Sequence, residues 1–151
     1  MDKVPTRLIG REVLPSFFME QPDVVAAYLF GSQATGRAGR GSDVDIAVLL
    51  SESVAPQRRG ERRLRLIVDL ERLCERSVDV VVLNRATPVL QNQVLRYGKL
   101  LFERDRLARV RFEVRARQAY FDLKPVYDRH TQELLERIKE VGLSGRKRRH
   151  S

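Results

Sequence analysis

A single cysteine stands among the 151 residues, so the chain cannot close an internal disulfide. Cys74 lies in LERLCERS with no Cys or His ligand set around it, which predicts a buried thiol on a helix. Long apolar runs are missing too: the longest, Val24 to Phe30, has seven residues, whereas a membrane helix needs roughly 20. No span is available. The opening MDKVPTRLIGREV carries acid, base and proline where a secretion signal needs an apolar stretch, so a cytoplasmic protein is expected. Internal repeats are absent, and the only low-complexity segment is the last ten residues, GLSGRKRRHS.

What is present is positive charge. The 29 Lys and Arg outweigh the 20 Asp and Glu to leave +9, which makes polyanions natural neighbours. Four of those bases fall in the closing ten residues, which contain no acid and no apolar face, so residues 142–151 are expected to form a basic disordered tail after a single domain over 1–141. A second basic stretch, QRRGERRLR with Arg58, Arg59, Arg62, Arg63 and Arg65, reads as a solvated helix face that could also meet an acidic partner or RNA.

Periodicity orders the rest. Leu8, Ile9, Val13, Leu14, Phe17 and Phe18 predict a first helix over 6–20. Val24 to Phe30 is a buried strand, and residues 31–42, with four of the nine glycines, form a loop. Asp43 to Leu50 is a second strand, 56–76 a second helix with Leu66, Leu70 and Cys74 on its stripe, and Ser77 to Leu83 a third strand. Thr87-Pro88 and Gly98 bracket a third helix. Lys99 to Glu103 is a fourth strand, and helical spacing then continues to about Val141, with Pro125 expected to kink or split it. Tyr97, Tyr120 and Tyr127 are expected to pack, and the end helix either covers the sheet or offers a partner surface. This order gives an α/β (α+β) fold: a small mixed sheet backed by helices, with a long C-terminal helical segment.

Three acids sit where carboxylates are costly. Asp43 and Asp45 leave the same face of one strand, with Cα atoms roughly 6.6 Å apart, and Asp79 interrupts the apolar SVDVVVL. If strands 2 and 3 are neighbours in register, the three converge, and oxygen-only ligands of this kind suit Mg²⁺. Just ahead, Gly31-Ser32 offers backbone N–H groups and a hydroxyl to phosphate oxygens, with Arg37 and Arg40 available either to neutralise phosphate or as solvated loop charges. Two metal ions about 3.5–4 Å apart could then position an attacking oxygen and stabilise a pyrophosphate leaving group, with Asp79 orienting or deprotonating the nucleophile. The loop fails as a Walker A motif, because Arg37 and Ala38 follow Gly36, and as a dinucleotide fingerprint, because no third glycine follows Gly41.

Gly31-Ser32, ten residues, then Asp43-Val44-Asp45 match the GS-x10-D-x-D signature of the DNA polymerase β-like nucleotidyltransferases, with Asp79 in the place of the third carboxylate. The short chain, LFGSQATGRAGRGSDVDIAVLL and TPVLQNQVLRYGKLLFERD resemble the minimal nucleotidyltransferase (MNT) antitoxins that pair with HEPN ribonuclease toxins. The resemblance covers about residues 6–140 and implies a nucleotidyltransferase fold, Mg²⁺-dependent use of ATP, and transfer of AMP to a tyrosine hydroxyl of the toxin. Carried over residue by residue, Gly31 and Ser32 would hold the triphosphate, Asp43 and Asp45 the metals, and Asp79 would activate the nucleophile. Two other readings stand beside this one. The first is a non-catalytic antitoxin or nucleic-acid binder acting by occlusion; the second is a small-molecule nucleotidyltransferase, for which the chain lacks room for a second substrate domain.

Overall fold

The computed structural model describes residues 12–31 and 43–149, with side chains as far as Val141. The elements in chain order are α1 (Leu14–Met19), β1 (Val24–Phe30), β2 (Val44–Leu50), α2 (Arg59–Cys74), β3 (Val78–Val82), α3 (Pro88–Tyr97), β4 (Lys99–Glu103) and α4 (Arg106–Arg149). Short 3₁₀ turns at Pro56–Arg58 and Leu83–Arg85 lead into α2 and α3. Among the described residues the strands form one mixed sheet in the order β3-β2-β1-β4. β1 runs antiparallel to β2 and β4, whereas β2 and β3 are parallel, as the helical crossover through α2 requires.

Both faces of the sheet are covered, which is why its central strands read as nearly continuous apolar runs. Along β2, Ile46, Val48 and Leu50 join one core with Leu14 and Phe18 of α1 and Leu66, Leu70 and Cys74 of α2. The alternate residues Ala47 and Leu49 join a second core with Tyr28, Val94 of α3, and Phe112 and Ala116 of α4. This is the two-residue strand period at work. Cys74 is fully buried at the end of α2, and burial pushes its thiol up from the ordinary value.

Several ends are fixed by single side chains. Thr87 accepts a hydrogen bond from the Leu90 N–H at 3.2 Å and caps α3, while Asp105 caps α4 through the Ala108 N–H at 3.1 Å. Gly98 closes α3 where an added Cβ would strike the Val94 carbonyl oxygen. Tyr28 donates its hydroxyl to Glu113 at 2.7 Å, and Arg109 donates to both Glu113 and Glu103, so the start of α4 is tied to β1 and β4. Burial and the Glu113 carboxylate raise the Tyr28 phenol well above its ordinary value.

Boundaries differ from the sequence reading in identifiable ways. The α-helical part of the first helix begins at Leu14, after a π-helical turn at residues 12–13, so helical backbone reaches the first described residue. Residues 6–11 of the expected helix lie outside the described residues. Pro125 does not split α4, which runs on to Arg149, past the Val141 boundary drawn from sequence. Tyr97 is exposed rather than packed, with the Arg96 guanidinium 5.2 Å from its ring. The chain divides into two compact units, one up to Arg117 and one from Gln118. Leu134, Leu135, Ile138 and Val141 in the second unit are exposed. Among the described residues no helix is long and apolar enough to cross a membrane.

One residue gathers several carbonyls at the end of α1. Arg104 donates to Phe18 at 3.1 Å, Met19 at 3.0 Å, Gln21 at 3.3 Å and Val24 at 3.3 Å. Arg104→Ala is expected to lower stability by about 1–2 kcal/mol in urea unfolding, because several carbonyls lose a charged donor together. An unchanged midpoint would mean that water replaces the guanidinium without loss.

Candidate active site

The site forms where β1 ends and β2 begins. β2 and β3 pair in register, so Asp45 lies beside Asp79 on adjacent parallel strands, as the sequence reading required. Successive residues of β3 alternate between buried and exposed: Val78 and Val80 enter the core, while Asp79 faces the other way. Antiparallel pairing of β1 with β2 sets Phe30 opposite Asp45 and delivers Gly31 to the same end of the sheet.

Gly31 is a glycine for two reasons. Its φ is +70°, in the left-handed region that side chains resist, and an added Cβ would collide with Oδ2 of Asp45. The turn is thus pressed against the carboxylate. Ser32, Arg37 and Arg40 lie outside the described residues.

Asp45 is partly buried, and its carboxyl is raised above the ordinary value, first by desolvation and then by the neighbouring charges of Asp79 and Asp43. Ionising it in the fold therefore costs free energy that a nearby cation would recover. The donors are all carboxylate oxygens, which fits Mg²⁺, an ion commonly held by one or two carboxylates together with phosphate oxygens and water. Among the described residues no three Asp, Glu, His or Cys side chains are already gathered as a ligand set. Asp79 instead has one oxygen committed to Arg63, whose Nη2 lies 3.0 Å from Oδ1. The same guanidinium donates through Nε to the Val80 carbonyl at 2.6 Å.

Arg63 escapes a sequence reading that treats the arginine run as solvated. One signal could have found it. Arg63 precedes Leu66 and Leu70 by three and seven positions, so it continues the stripe that α2 buries. An arginine on that stripe has to reach a partner at the sheet edge. Its neighbour Arg62 is likewise engaged, donating to Asp23 at 2.8 Å and to Gln21 at 2.7 Å.

Asp23 and Asp45 shift in opposite directions, which gives a test with a definite sign. The Arg62 hydrogen bond holds Asp23 below its ordinary value, so its contribution is present above the unfolded pKa and fades as pH falls through the folded one. For Asp45 the fold raises the pKa, so stability is lost as pH rises from the unfolded value through the folded one. Without added metal, Asp45→Asn should raise the thermal midpoint at neutral pH and Asp23→Asn should lower it, both differences shrinking on acidification. A neutral-pH loss of stability in Asp45→Asn would contradict the repulsion described here.

Comparison with known proteins agrees with this geometry. Residues 12–107 match the family described as Polymerase beta, Nucleotidyltransferase. The protein adenylyltransferase MntA of Shewanella oneidensis is 38% identical over 81 residues, which are 54% of this chain and 55% of that protein. The chain thus matches about half the length of that relative. The MntA of Aphanizomenon flos-aquae is 31% identical over 108 residues, covering 68% of this chain and 72% of the relative. Among solved structures, a toxin–antitoxin crystal structure with AMP-PNP superposes with a TM-score of 0.69 at 26% identity, over 87% of this chain and 99% of that one. With its GS-x10-D-x-D sequence and paired acidic strands, the chain belongs to the polymerase β nucleotidyltransferase family, within the minimal nucleotidyltransferase antitoxins.

Proposed function

We propose that this chain transfers AMP from ATP to a tyrosine hydroxyl of a HEPN ribonuclease toxin, in a Mg²⁺-dependent reaction that silences the toxin. The observation that carries this reading is the placement of Asp45 between Gly31 and Asp79: a phosphate-compatible turn on one side and a second carboxylate on the next strand. The relatives named protein adenylyltransferase and the toxin–antitoxin structure with AMP-PNP support the donor and the partner class.

In this reading Gly31 and Ser32 hold the triphosphate through backbone N–H groups and the serine hydroxyl. Asp43 and Asp45 would hold Mg²⁺, while the second oxygen of Asp79, left open by Arg63, would face the acceptor. When bound, the metal supplies positive charge at the phosphate oxygens and the leaving group. Asp79 lies on an edge strand with 54% of its side chain exposed, so an acceptor can reach it from solvent. A cavity of about 480 Å³, lined in part by Arg63, Val80 and Arg85, opens along the same edge. The acceptor hydroxyl gives its proton to the Asp79 carboxylate as its oxygen attacks the α-phosphorus. The bond to the bridging oxygen then breaks, pyrophosphate leaves, and a phosphodiester joins AMP to the tyrosine.

Intact-mass analysis tests this directly. With ATP, Mg²⁺ and the HEPN partner, the wild type should add AMP-sized increments to the partner, and Asp43→Ala/Asp45→Ala should add none. Neutralisation of the toxin that survives both substitutions without loss would favour occlusion over catalysis.

A further inference from the structure

α2 packs on one face of the sheet, with Leu66, Leu70 and Cys74 against Val80, whereas Asp79 projects from the opposite face. Arg63 connects the two. From α2 it passes around the outer edge of β3, donates through Nε to the Val80 carbonyl at 2.6 Å, and takes Oδ1 of Asp79 through Nη2 at 3.0 Å. Nε and Nη2 are the parallel donors of one planar fork, so fixing one fixes the direction of the other. The backbone oxygen next to Asp79 therefore sets the plane in which the Asp79 carboxylate is held.

We propose that Arg63 is a positioning residue: it orients Asp79 so that one carboxylate oxygen is occupied and the other faces the acceptor. This rests on the adenylyl-transfer reading above. Three features separate the role from ordinary stabilisation. The pair is well exposed, 38% for the Arg63 side chain and 54% for Asp79, and ion pairs in such settings add little to folding. Among the described residues Arg63 is a guanidinium that pairs with Asp79 directly, so a substitution there acts on the carboxylate itself. The contact also has a backbone anchor, which a screened surface pair does not need. Glu71, further along α2, approaches the Val78 N–H at 3.4 Å, so α2 guards this strand edge at a second point that does not touch the acid.

The test uses the full chain with its acceptor protein and compares Arg63→Gln, which loses the charge, with Arg63→Lys, which keeps the charge but not the fork. Both should lower kcat for AMP transfer by about tenfold or more, the scale expected when a reacting group is misplaced. KM for ATP, calorimetric affinity for AMP-PNP with Mg²⁺, and the thermal midpoint should stay within about twofold or unchanged. Glu71→Gln, which touches the same edge but not Asp79, should transfer at the wild-type rate. Wild-type kcat in both Arg63 variants overturns the inference. So does a fall in AMP-PNP affinity that matches the fall in kcat, because Arg63 would then be a nucleotide ligand. If the wild type binds AMP-PNP yet transfers no AMP, the functional reading falls and this inference falls with it. Normal wild-type transfer with undiminished Arg63→Gln removes this inference alone.

Discussion

Two carboxylates on adjacent parallel strands repel each other, and the fold holds them there. Asp45 and Asp79 are register partners in β2 and β3, and Asp43 adds a third charge that bears on Asp45. Nothing in folding alone rewards this arrangement, since desolvation and repulsion both raise Asp45. The sheet tolerates it because its stability comes from elsewhere. Apolar residues fill both of its faces, and Arg104, Arg62 and the Tyr28–Glu113–Arg109 cluster fasten the surrounding helices and turns. The site thus resembles a strained electrostatic pocket set in a rigid frame, the usual arrangement when charge must be available to a ligand.

Geometry at the strand ends gives the site its direction. Gly31 turns with positive φ directly against Asp45, so whatever the turn binds is brought to that carboxylate. On the other side β3 is an edge strand, and the edge is where a second substrate can enter. In the proposed reaction donor and acceptor would then have different approaches, with Asp45 on the donor side and Asp79 on the acceptor side. Arg63 would belong to the acceptor side by the same logic, since it crosses the edge strand and holds Asp79 from an anchor on the Val80 carbonyl.

Much of this was legible in the sequence because it depends on local pattern. β1 and β4 have the bounds that their apolar runs dictate, and Thr87-Pro88 marks the start of α3. The approach of Asp45 to Asp79 was legible only on the condition that strands 2 and 3 are neighbours in register, which they are. Other features depend on tertiary contact and escaped. Arg63 lies sixteen residues before Asp79, and only the packing of α2 on β3 brings them together. Tyr97 has core-like spacing but falls at the open end of α3, and the continuation of α4 through Pro125 reflects a helix long enough to absorb one missing hydrogen bond.

The central claim is that Asp43 and Asp45 exist to hold a divalent cation beside the triphosphate. Electron paramagnetic resonance of Mn²⁺ with AMP-PNP, titrated with protein, measures that binding without requiring turnover, as the change from the spectrum of the Mn²⁺–AMP-PNP complex alone. The wild type and Arg63→Gln should both change that spectrum, and Asp43→Asn/Asp45→Asn should leave it as it is. An equal change with that double variant would contradict the assignment of these two aspartates.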